Sequence, residues 1–230
     1  MMNLTKPAVL LTSAALAFGA AACGDDESEE SGATGSANSE QAQTQESKPK
    51  PVAQLDALTG DTTSVKLDAG FVEALGTLKL TPGPVGDAKI ENGSAKFPIT
   101  GGNVTYYEPG TVSPYVQGKI EHGGSGLSLE GGGKKVELTD FVIDPGKSVL
   151  TGTVSVDGKV AAQSAPLFFL DGRTLKPLRT ASGGKTAILQ GTTVKLKQEA
   201  ADLLNQTFGT DALKGGLVIG VAKISVPTGA

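Results

Sequence analysis

From Val52 onward, short runs of Val, Ile, Leu and Thr alternate with polar residues, and a glycine interrupts them about every eight to twelve positions. Period-two alternation bounded by turn residues predicts strands buried on one face and joined by tight reversals. Two reversals are explicit: Asn92-Gly93 between DAKIE and SAKFPI, and Asp157-Gly158 between LTGTVSV and KVAAQS. Both pairs tolerate the positive φ that a two-residue type I′ turn demands at its central positions. Alternation continues in VQGKIEH (116–122), GLSLEG (126–131) and KKVELTDFVI (134–143). In the last run Val136 and Leu138 share one parity while Phe141 and Ile143 take the other, so a β-bulge near Asp140 is expected to bring all four to one face. Pro145-Gly146 then marks a turn. The segments LFFL (167–170) and LVIGVA (217–222) are apolar throughout, which predicts strands covered on both faces or lying at a sheet junction.

Helical spacing appears twice. In EAADLLNQTF (199–208), Ala200, Leu203, Leu204 and Phe208 fall on one face and Gly209 follows as a terminator. In AGFVEALG (69–76), Phe71, Ala74 and Leu75 do the same, with Gly76 at the end. The expected fold is all-β: a two-layer antiparallel β-sandwich with one or two short capping helices, formed as a single domain by residues 52–230.

The N-terminal quarter is different. Residues 1–22 carry one charge at Lys6, an apolar stretch from Ala8 to Phe18, and small residues before Cys23, the plan of a signal peptide. The run Ala20-Ala21-Ala22-Cys23 resembles the lipobox of bacterial lipoproteins, with Ala20 where leucine is more usual. That resemblance implies lipidation of Cys23 and cleavage before it. A lone cysteine in an exported chain has no disulfide partner, and a diacyl anchor gives it a role. Residues 24–51, rich in Ser, Glu, Gln and Gly and without an aromatic or branched aliphatic side chain, cannot bury enough apolar area to offset ordering; with Cys23 they read as a disordered acidic tether. The domain is thereby expected on the outer, extracytoplasmic surface of a cell membrane.

Charge narrows the partners. The tether holds seven acids and two lysines and the leader one lysine, which leaves seventeen residues of each sign in residues 52–230. A neutral domain has no basic surface with which to displace counterions, so nucleic acid is not expected as a partner. The membrane, through the lipid, and a small-molecule or protein ligand at the cell surface are.

Catalytic material is sparse: one histidine, one cysteine, no tryptophan and no Gly-x-Ser-x-Gly elbow, so an enzyme is not expected. Gly183-Gly184-Lys185-Thr186 lacks the leading glycine of a phosphate loop, having Arg179 there, and precedes a strand-like run. Asp140 and Asp144 fall short of a calcium loop, and one histidine with one cysteine does not make a zinc site, so no metal site is expected. One cluster stands out. Tyr106, Tyr107, Tyr115 and His122 include every tyrosine and the only histidine of the chain. Phenolate and imidazole are both ferric haem ligands, which makes these four the candidate ligand-binding set with haem as a candidate cofactor. Equally, tyrosines at strand ends keep their hydroxyls wet while the histidine caps a turn.

The run GKIEHGGSGLSL (118–129), followed by KKVELTDFVIDP (134–145) and LTGTVSV (150–156), resembles the middle of HtaA-type domains, actinobacterial surface modules. The resemblance extends from about Gly70 to Val226 and implies a β-sandwich that binds haem through a tyrosine, with a histidine nearby. His122 matches the family histidine. The family tyrosine lies near the domain start, and the matching segment here, Gly70 to Gly76, has none. The resemblance therefore implies a surface module without the family's haem ligand; haem uptake would need Tyr107 or Tyr115 as a substitute.

Overall fold

The computed structural model describes residues 49–228, so the leader, Cys23 and nearly all of the tether lie outside the described residues. The early strands are short: β1 (Ala53–Leu55), β2 (Thr62–Leu67), β3 (Thr81–Gly86), β4 (Lys89–Glu91), β5 (Ser94–Pro98) and β6 (Gly101–Tyr106). The central ones are longer: β7 (Val116–Gly131), β8 (Lys134–Asp144), β9 (Val149–Val156) and β10 (Lys159–Asp171). After the brief β11 (Arg179–Ala181) come β12 (Thr186–Leu196) and β13 (Val218–Pro227). Helix α1 (Ala69–Thr77) follows β2, and α2 (Gln198–Phe208) joins β12 to β13.

All strand pairings are antiparallel and form one path, β1-β6-β7-β8-β9-β10-β12-β13-β2-β5-β4, with β3 added to β7 and β11 to β12. Strands β7 and β2 stand six places apart on that path, ~29 Å in a flat sheet at ~4.8 Å per strand. Yet Nε2 of His122 on β7 lies 2.7 Å from Oγ1 of Thr63 on β2. The sheet therefore curls back over itself, and its facing halves are the two layers that the alternation implies. Between them lies a core centred on Ile120, Val136, Val154 and Leu167.

Local sequence signals account for the shape. Both two-residue turns form, with Asn92 and Gly93 at φ 51° and 66° and Asp157 and Gly158 at 49° and 78°. The bulge is also present: Asp140 has φ 52°, and the β8–β9 register slips between Thr139 and Val142. This reverses the parity, so that Val136, Leu138, Phe141 and Ile143 are all buried. The Asp140 carboxylate accepts a hydrogen bond from the Gly124 amide (3.0 Å), tying this bulge to an irregularity between His122 and Gly126 on β7. VQGKIEH and GLSLEG are thus one long strand with a kink. Asp144 caps its turn by accepting from the Lys147 amide at 3.0 Å. Residues 182–184 form a short turn of 3₁₀-helix ahead of β12.

Asp68 caps α1 by accepting from the amides of Gly70 and Phe71, and Phe71 and Leu75 are buried. The helix runs past Gly76 and ends where Lys79 takes φ 55°, with the Leu80 amide bonded to the Leu75 carbonyl. Helix α2 buries Ala200, Ala201 and Leu204 and stops at Gly209, which adopts φ 65°, ψ 41°. An alanine there would meet no neighbour but would be held in the left-handed region. Gly209→Ala should therefore cost about 1 kcal/mol, read as a drop of roughly 2–4 °C in Tm. An unchanged Tm would remove the left-handed cap from the account.

One expectation fails. LFFL and LVIGVA are not covered on both faces: Phe169 is 42% and Val221 45% exposed. Register places Phe169 opposite Lys195, and Thr193 opposite Val221, on the outer side of β10, β12 and β13. The core-facing residues of the same strands, including Leu170, Ile219 and Ala222, are buried.

Candidate functional site

Strand β7 carries His122 inward, where the side chain is 1% exposed. Nδ1 lies 3.2 Å from the Phe141 carbonyl oxygen, which can only accept, so Nδ1 carries the proton. Nε2 is then the acceptor for the Thr63 hydroxyl at 2.7 Å. Both ring nitrogens are satisfied by protein, one within the β7–β8 pair and one across the core. Phe97 packs edge-on against the ring at 6.3 Å between centroids. Burial pushes the imidazole pKa down to about 4, and the bond to the Phe141 carbonyl offsets this only in part. A neutral, sealed imidazole of this kind is a cross-layer strut. It presents no free nitrogen to a ligand.

The tyrosines are elsewhere. Tyr106 on β6 pairs in register with Val116, and six residues of β7, ~20 Å of extended chain, separate Val116 from His122. Tyr106 and Tyr115 meet edge-to-face, with ring centroids 6.0 Å apart. Together they wall an open cleft of about 460 Å³, which Phe169, Arg173 and Lys176 also line. Tyr107, whose amide bonds the Tyr115 carbonyl, does not line it. Burial raises the Tyr115 phenol pKa, with the neighbouring Tyr106 adding a smaller push, which disfavours phenolate.

Behind the cleft is a second space of about 290 Å³ between the layers. Val104, Val116, Ile120 and Ile143 line it from β6, β7 and β8, and Leu189, Ala222 and Ile224 from β12 and β13. Tyr115, Ser148, Leu170, Gly172 and Leu175 line both spaces, so they meet at a shared rim. The opposite end of the domain is closed: Phe71 and Leu75 of α1 and Leu204 of α2 pack there around about 40 Å³. Neither of the two larger spaces is lined by a residue of α1 or α2.

The rim is electrostatically biased. Asp171 is 4% exposed and is held by Arg173 (2.6 and 2.8 Å) and by Lys195 (2.9 Å), which keep its carboxyl well below the usual carboxylate range. One carboxylate is thus paired with two cations, and Lys176 adds another positive charge to the lining of the cleft. Among the described residues no cluster of three or more His, Cys, Asp or Glu side chains could hold a metal ion.

The four residues singled out from the sequence therefore divide. Tyr106 and Tyr115 share the cleft, Tyr107 lies outside it, and His122 belongs to another part of the core. Phe169, Arg173 and Lys176, which periodicity and composition do not single out, line the cleft as well. For Arg173 and Lys176 the one local signal is DGRTLKP (171–177), a turn-rich segment carrying two cations directly after a strong strand.

No family model matches the chain. No curated protein matches it either. Among solved structures, the domain is similar to the C-terminal domain of HtaA from Corynebacterium glutamicum, with a TM-score of 0.51 at 15% identity over 74% of this chain and 98% of that one. The heme binding protein HtaB of the same organism matches with a TM-score of 0.48 at 10% identity, covering 76% of this chain and 96% of its own. The N-terminal domain of HtaA gives 0.45 at 14% identity, over 75% and 99%. The likeness to the C-terminal domain of HtaA shows an HtaA-like fold, the one that the motifs around His122 resemble.

Proposed function

We propose that this chain is a lipid-anchored, extracytoplasmic binding module of HtaA-like fold that receives its ligand at the open end of the sandwich, while His122 holds the two layers together. The observation that carries this reading is the contrast between two places in one core. His122 is sealed, with both nitrogens bonded to protein. The end walled by Tyr106 and Tyr115 opens into spaces whose combined size falls within the ~300–1,000 Å³ usual for small-molecule sites. The residues that would supply the family's haem site do not fit haem in this chain, since α1 has no tyrosine and the matching histidine is closed off.

Recovering the protein from its source membranes and recording its native mass spectrum tests the open-end reading. A small-molecule adduct should accompany the native chain and be absent from Ile224→Trp, which fills the inner space from a half-buried position. An adduct that survives the filling would place the ligand elsewhere.

Haem capture is the second reading, favoured by one observation: the Tyr115 phenol stands in the cleft near Arg173 and Lys176, cations suited to propionates. A hemin titration separates the two. The first reading expects no Soret change beyond that of free hemin. The second expects a saturable one-to-one shift that Tyr115→Phe removes.

A further inference from the structure

Well-packed interiors leave few voids larger than a water molecule, and three spaces between the layers of this domain, at 30 to 40 Å³, follow that rule. The 290 Å³ space does not. Its deep walls are aliphatic from both layers, and the polar side chains around it, Ser113, Tyr115, Ser148 and Thr192, are few. A group seated there gains by leaving water and finds little to hydrogen-bond. At the rim the balance reverses: Arg173 has its side chain 83% exposed, Lys176 lines the same cleft, and the single carboxylate of the cleft, Asp171, is already paired with both Arg173 and Lys195 through Oδ2. An apolar blind end behind a cationic mouth defines a ligand by its shape and charge.

We infer that the open end takes a single-chain anionic amphiphile, its alkyl tail between Ile120, Ile143 and Ile224 and its carboxylate at Arg173 and Lys176. The inference rests on the open-end reading above and adds the chemical class of the ligand. The tail supplies affinity in proportion to the methylenes buried. Arg173, whose Nε and Nη2 already bond Asp171, offers its remaining guanidinium N–H groups, and with the Lys176 ammonium these select the charge of the head and fix its position at the mouth.

The test uses the full chain carrying Cys23→Ser, so that no acyl group of its own competes, and titrates it calorimetrically with dodecanoate, dodecyltrimethylammonium and dodecanol. Dodecanoate should bind saturably and one-to-one, and dodecyltrimethylammonium should not. Shortening the acid should weaken binding by about fourfold per methylene removed, the equivalent of ~0.8 kcal/mol for each buried CH₂. Arg173→Ala with Lys176→Ala, both at the surface, should weaken dodecanoate about tenfold or more while leaving dodecanol unchanged. Ile224→Trp should abolish binding of both. Equal binding of the cationic surfactant, or an affinity independent of chain length, overturns the inference. If dodecanoate fails to bind while another small molecule co-purifies with the chain and leaves on Ile224→Trp, the ligand class is overturned and the open-end reading stands. Absence of both overturns both.

Discussion

Acidifying the folded domain through the window from 6.5 down to about 4 is expected to remove about 3 kcal/mol of stability through His122 alone. The unfolded chain protonates the imidazole near 6.5, whereas in the fold burial delays protonation to about 4. Between those values the unfolded state binds more protons than the native state, so stability rises with pH across the window. Above 6.5 the contribution is complete, and below about 4 the loss levels off because the native imidazole is protonated as well. Protonation also reverses the bond to Thr63, whose hydroxyl would then accept from Nε2, so the loss comes from burying the charge. No charged side chain lines the space around the ring to compensate. His122→Gln, whose carboxamide can donate to the Phe141 carbonyl and accept from Thr63, isolates the effect. Urea titrations of both proteins across the window should show the native chain losing about 3 kcal/mol more than the variant. Parallel loss in the two would mean that His122 titrates normally and is not sealed.

The second large effect is one of location. The proposed lipid anchor predicts that Cys23→Ser moves the protein from the membrane fraction to the soluble fraction, because the tether offers no apolar segment to replace two acyl chains. Its melting temperature should not change, since Cys23 precedes the folded domain by the length of the tether. Retention of the variant in the membrane fraction would contradict the anchor.

Much of the fold is legible in the sequence wherever a local signal has one structural solution. Asn92-Gly93 and Asp157-Gly158 set two reversals, the parity change around Asp140 sets a bulge, and Gly209 ends α2. Gly76 misleads as a terminator because a helix ends where the chain first turns left-handed, and here Lys79 does so. Outward exposure of Phe169 and Val221 was hidden because an apolar run reads the same whether its outer face is covered or bare.

The site was less legible, for a reason of geometry. Tyr106, Tyr115 and His122 are neighbours in sequence, but an extended strand carries its residues apart at ~3.3 Å each, so closeness in the chain became distance in the fold. Conversely, Tyr115 and Arg173 lie far apart in sequence, and the curl of the sheet brings them to one cleft. Periodicity assigns each residue to a face and does not say which strand ends will meet. The absence of a tyrosine from the segment matching α1 is itself legible in the sequence and points away from the histidine toward the open end.

The claim that the open end, and not the histidine, is the binding site is tested most directly by native mass spectrometry of three chains recovered from the source membranes: the native protein, Ile224→Trp and His122→Gln. The account predicts a ligand adduct on the native chain and on His122→Gln and none on Ile224→Trp, with all three folded. An adduct that persists on Ile224→Trp and disappears from His122→Gln would contradict it.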